Sequence, residues 1–159
     1  MAQSRGIDGF GVAVPIADYQ RVQRLPGAAA CFSSNPYYAA LQEVMFQTVR
    51  FVRQKSGRNV VVFIHDDDNN FSEMHDLYKN FKEQNPKTAK YMLGFQSMDD
   101  KRNPPLQLAD MTANLTLELA TEWLDDNRSQ PKLKEMKQSI EKLGIWTEDY
   151  MLALLAAQK

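Results

Sequence analysis

The spacing of hydrophobic and polar positions changes several times along the chain, and each change predicts an element. Phe10, Val12 and Val14 alternate with Gly9, Gly11 and Ala13, which predicts a strand with one bulky face ending at Pro15. The small side of that strand would let another element approach closely. From Leu25 to Asn35 the chain is rich in Gly, Ala and Ser and lacks periodicity, so it reads as a loop. Asn35-Pro36 then supplies a cap and a first-turn proline, and Tyr38, Leu41, Met45, Thr48 and Val52 repeat at helical spacing to about Gln54. Ser56-Gly57 ends that helix. Val60 to Ile64 is a continuous β-branched and aromatic run, which predicts a central strand buried on both faces.

His65 to Asn70 reads as the loop at the carboxyl end of that strand, where open α/β sheets bind ligands. Asn70 with Glu73 has the spacing of a capping box, followed by a stripe of Phe71, Met74, Tyr78 and Phe81 that stops near Asn85-Pro86. Tyr91, Leu93 and Phe95 alternate as a third strand. Asn103-Pro104-Pro105 starts a helix to about Asp126, and its apolar character predicts that residues 105–126 are largely buried. Gln107, Asp110, Asn114, Glu118 and Thr121 form one polar stripe on it. Pro131 opens a helix through Leu133, Met136, Ile140 and Leu143, stopped by Gly144, and Thr147 caps a last helix through Leu155, so helices are expected over 131–157.

A chain of 159 residues with 43% hydrophobic and 25% charged residues suits a single α/β domain over 1–159 with a sizeable core. A formal net charge of -1 gives no global attraction to nucleic acid, so a phosphate-binding surface would have to be local. Arg50, Arg53, Lys55 and Arg58 are candidates, although cations at a helix end more often form a solvated face. The single cysteine, Cys31, excludes an internal disulfide and a cysteine-rich zinc site and fits a reducing compartment. There is no signal-like N-terminus and no long apolar span, so a cytoplasmic protein without a membrane partner is expected.

The candidate chemistry lies in carboxylates. Asp66 follows one strand, Asp99 and Asp100 follow the next, and Asp110 opens the polar stripe of an apolar helix. Carboxylates from separate elements converging on Mg²⁺ or Mn²⁺ are what metal-assisted phosphodiester hydrolysis requires. Each also has a structural reading: Asp66 in a solvated turn and cap, Asp99 in a loop turn before the prolines, Asp110 in a hydrogen bond to loop backbone. Lys101 could meet a phosphate or neutralise Asp99. His65 and His75 are ten residues apart on different elements and lack the spacing of a zinc pair.

The ordered set of Asp66, Asp99-Asp100-Lys101 and Leu106-Gln-Leu-Ala-Asp110 resembles the family known as domain of unknown function 3800, whose hallmark reads roughly D-S-K and then Q-L-A-D at a helix start. Asp99 and Lys101 match the first motif, Asp100 stands at its serine, and Gln107, Leu108, Ala109 and Asp110 match the second. Gly9-Phe-Gly-Val-Ala-Val-Pro15, Asp18-Tyr19 and Pro36-Tyr37-Tyr38 extend the likeness over about residues 6–125. The resemblance implies a ribonuclease-H-like mixed sheet flanked by helices and a divalent-metal-dependent nuclease. Asp66, Asp99 and Asp110 would be catalytic, Asp66 and Asp110 would hold Mg or Mn, and Lys101 and Gln107 would contact a nucleic-acid substrate. Family members begin with a D-E-S-G or D-E-A-G strand that this chain lacks, so the domain is expected to be N-terminally incomplete. Uncovered strands would then favour a homo-oligomer, and a noncatalytic, self-associating α/β domain is the alternative function.

Overall fold

The computed structural model describes residues 10–66, 70–125 and 142–157. In chain order the elements are β1 (Phe10–Ala13), α1 (Ile16–Gln23), α2 (Ala28–Cys31), α3 (Pro36–Lys55), β2 (Val61–Asp66), α4 (Phe71–Gln84), α5 (Pro86–Ala89), β3 (Met92–Met98), a 3-10 turn (Asp100–Arg102), α6 (Pro104–Asp125), β4 (Lys142–Ile145) and α7 (Glu148–Ala156). This is an α/β chain. Among the described residues the strands form two parallel pairs, β1 with β4 and β2 with β3.

Two apolar cores correspond to the two strand pairs, and α3 serves both. Its first half places Ala39 in a cluster with Tyr19, Val22, Ala28, Phe32, Trp146 and Met151. Its second half places Met45 and Val49 against Val61, Tyr78, Phe81 and Met92. The expected helix over Pro36 to Gln54 is therefore present and packs as its periodicity requires. Asn35 caps it, with its side-chain oxygen accepting from the Tyr37 amide at 2.9 Å, and Pro36 fills the first turn where no amide partner is needed. Replacing Asn35 with Ala is expected to cost about 1 kcal/mol of unfolding free energy, read from the midpoint of a urea titration. No change would show that Pro36 alone starts the helix.

The stretch expected to be a loop contains a helical turn. Gly27, at φ 84°, adopts the left-handed conformation that favours glycine and leads into α2, whose Ala28 is fully buried. Helix α1 was not expected from the pattern. Its buried side chains are only Tyr19 and Val22, too narrow a stripe to stand out in sequence.

Three further expectations are corrected. Asn70 precedes α4, but its side chain makes no capping bond, because its own backbone is already helical and Glu73 turns instead to the Tyr38 hydroxyl. Gly144 does not stop a helix: it lies in β4, where tertiary pairing places it opposite Val12. The rest of that expected helix, residues 131–141, lies outside the described residues. Thr147 does cap the last helix, accepting from the Tyr150 amide at 3.3 Å.

The largest correction concerns burial. β2 was expected to be a central strand buried on both faces. Among the described residues its one strand neighbour is β3, and Val62 and Ile64 are 41% and 39% exposed. Alternation sends Val61 and Phe63 toward α3 and α4 and leaves Val60, Val62 and Ile64 on an outer face. A shift in register at Val61/Val62 sets Met92 opposite Val61 and Gly94 opposite Val62, so Leu93 falls out of phase and is 69% exposed. α6 was expected to be largely buried. Of its described side chains only Thr116, Leu119 and Ala120 are buried, because the helix rests on β1 and β2 over a short stretch.

Candidate functional site

The carboxyl ends of β2 and β3 define the place where the expected site residues can be compared. The strands are parallel and in register, with Asp66 opposite Met98, so Asp66 and Asp99 lie at the same end of neighbouring strands. Asp66 also follows the outward alternation of Val62 and Ile64 and is exposed. Asp99 is largely committed to local structure. One oxygen accepts the Lys101 amide at 3.0 Å, its carbonyl accepts the Arg102 amide at 3.2 Å, and its other oxygen lies 3.8 Å from Arg102 Nε. That is the loop-turn role weighed for it from sequence.

Asp110 lies in α6, which touches both β2 and the 3-10 turn. Its carboxylate is exposed, and Asn114 donates to it from the next turn at 3.5 Å. Lys101 and Gln107 are exposed. Among the described residues no three His, Cys, Asp or Glu side chains converge as a metal cage. The acidic neighbours at positions 67 and 68 lie outside the described residues.

Two features near this edge were not singled out from sequence as parts of a site. The first is an aromatic slab on the inner face of β2 and β3, centred on Phe95. Phe71 stacks on Phe95 at 5.6 Å between centroids, His75 stacks on Phe71 at 5.9 Å, and Tyr78 and His65 approach Phe95 at 5.4 and 6.0 Å. His65 Nδ1 is 2.7 Å from the Asp66 carbonyl, which can only accept, so Nδ1 carries the proton. Nε2 lies 3.4 Å from the Tyr37 hydroxyl, which can donate to it when the ring is neutral. Both ring nitrogens face protein partners, which hold the imidazole in one orientation at this edge. Next to it the Tyr38 hydroxyl donates to Glu73, and that carboxylate holds the Tyr38 phenol above its ordinary pKa.

The second feature is a cleft of about 650 Å³ bounded by β1, α3 and α6, with Phe10, Val12, Leu41, Val44, Leu108 and Ala109 among its walls. A volume of this size is in the range of ligand pockets. Its lining is apolar in effect. The Thr112 and Thr116 hydroxyls each donate at 2.8 Å to a carbonyl one turn back on α6, so they offer no unsatisfied donor to a ligand. The only sequence hint was the apolar excess of α6. A cleft between elements far apart in the chain has no local pattern.

The four cations of the candidate basic patch, Arg50, Arg53, Lys55 and Arg58, are all exposed, with Arg53 over the Tyr91 ring at 4.8 Å and Lys55 over the Phe51 ring at 4.2 Å. No described helix is long and apolar enough to cross a membrane.

No known family model, curated protein or solved structure matches the chain.

Proposed function

We propose that this chain is a noncatalytic α/β interaction domain that associates with itself. The supporting observation is the outer face of β2 and β3, where Val60, Val62, Ile64, Leu93 and Met98 are all exposed. Parallel strands are ordinarily covered on both faces, because their crossover connections place helices there. A parallel pair with one apolar face open calls for a polypeptide to cover it.

The second reading is a divalent-metal-dependent nuclease of the domain of unknown function 3800 type, with a ribonuclease-H-like fold. It draws on the placement of Asp66 and Asp99 at one end of two parallel strands, with Asp110 on a helix that touches that region. The fit to Mg²⁺ or Mn²⁺ is partial. Asp66 and Asp110 could each offer oxygen and Asp99 gives one oxygen to its own turn, but the described residues hold no cage through which a hydrolytic step can be drawn.

Sedimentation and a cleavage assay separate the two readings. The purified chain is expected to sediment as a species above 18.2 kDa in a concentration-dependent way, and to leave single-stranded DNA and RNA uncut with Mn²⁺ at any level that Asp110→Asn alters. Strong Mn²⁺-dependent cleavage lost in Asp110→Asn would favour the nuclease instead.

A further inference from the structure

We infer that the cleft between α3 and α6 is a strand-binding slot, in which the free edge of β1 takes an extended segment of a partner polypeptide. This goes beyond self-association, since the cleft shares no residue with the outer face of β2 and β3.

The position of the cleft follows from β1. Phe10, Gly11 and Val12 all line it, and consecutive residues of a strand point to opposite faces, so the cleft runs along an edge of β1 rather than over a face. β4 holds the other edge. One face of β1 meets α3, where the Phe10 ring packs on Phe51 at 5.0 Å, and the other meets α6, where Gly11 adjoins Thr116. Both helices also pack on β2, whose one strand neighbour among the described residues is β3. The cleft is therefore the next strand position after β1, with a helix on either side.

The backbone of β1 identifies the occupant. The Trp146 amide donates to the Ala13 carbonyl at 3.0 Å, so Ala13 and, two residues back, Gly11 turn their N–H and C=O groups toward β4. Val12 turns its own the opposite way, into the cleft, and among the described residues they have no hydrogen-bond partner. An amide and a carbonyl on an apolar-walled strand edge are paired by an added strand, which supplies both complements at strand spacing. An apolar small molecule would fill the volume and leave both unpaired. The side chains of the partner follow from β1 as well. Phe10 and Val12 lie on one face and Gly11 and Ala13 on the other, the side that α6 approaches closely, so a neighbouring strand must alternate large apolar residues with Ala or Gly. Residues 1–9 hold only Met1, Ala2 and Ile7 as apolar residues, and in 126–141 Leu133, Met136 and Ile140 fall at helical spacing, so neither segment of this chain carries that alternation.

The test combines amide hydrogen exchange of the full chain with fluorescence anisotropy of a labelled peptide alternating Val and Ala between terminal lysines. In the chain alone the Val12 amide is expected to exchange faster than that of Ala13, and to become protected when the peptide is added. Val12→Pro removes the donor that faces the cleft and leaves the ladder with β4 intact, while Ala113→Phe fills the cleft from an exposed position on α6. Each is expected to weaken peptide binding about tenfold or more, with circular dichroism confirming the fold. Peptide binding that survives either substitution in a folded variant would overturn the slot. So would a chain that binds anilinonaphthalene sulfonate in the cleft but no peptide, or a Val12 amide already protected in the chain alone. None of these results bears on self-association through the outer face of β2 and β3, which sedimentation decides separately.

Discussion

Tyr78→Ala is expected to destabilise the chain by about 3–5 kcal/mol, a large part of the stability of an ordinary domain. Tyr78 is 5% exposed and sits where α4 meets the sheet, with its ring against Phe63 and Phe95. Truncation removes the ring from the core formed by α3, α4, β2 and β3 and opens a cavity that rigid strands and helices refill poorly. The hydroxyl is a smaller matter. It donates to the Met92 carbonyl at 3.2 Å, but Lys82 Nζ donates to the same oxygen at 3.0 Å. Tyr78→Phe keeps the ring and leaves that carbonyl satisfied, so its cost should be about 1 kcal/mol or less. Urea titrations of the two variants give the comparison. Equal losses would mean that the hydrogen bond, rather than the ring, holds α4 in place.

Gly11→Ala is expected to cost about 1–3 kcal/mol through overpacking. A Cβ at this buried position would lie 2.2 Å from Thr116 Oγ1 and 3.0 Å from Thr116 Cγ2, which is where α6 crosses β1. Thr116 cannot swing aside freely. It is β-branched, and its hydroxyl is bonded to the Thr112 carbonyl. The pair Gly11→Ala/Thr116→Ala removes both the oxygen and the methyl, and should be more stable than Gly11→Ala alone. A double variant that is as unstable as the sum of the singles would place the strain elsewhere in the β1 and α6 packing.

The site was legible in sequence only in part. Asp66 and Asp99 were expected beyond the ends of two strands; Asp99 follows β3, while β2 runs on to include Asp66. The parallel register of β2 and β3 brings the two to one edge. What their chemistry depends on was not legible. One Asp99 side-chain oxygen accepts an amide of its own turn, and the role of Glu73 is set by Tyr38, 35 residues away. Periodicity identifies which side chains share a face, and contacts over such distances lie outside what it can carry.

Several elements were determined by the sequence alone, because their signals are local. Asn35-Pro36 and the helical spacing after it made α3, Thr147 capped α7, the stripe of Met74, Tyr78 and Phe81 made α4, and the small residue Gly11 marked a close approach that α6 takes up. The tertiary structure decided what the apolar runs face. Val60 to Ile64 and the 105–126 helix are apolar enough to be buried, yet burial also needs a neighbour, and among the described residues β2 pairs with one strand while α6 rests on β1 and β2 over a short stretch. It also drew Gly144 into a strand against Val12 despite its helical spacing, since pairing with β1 satisfies backbone groups that local propensity only weakly directs. Hydrophobicity is written in the chain residue by residue, whereas the surface that covers it belongs to whatever the fold brings alongside.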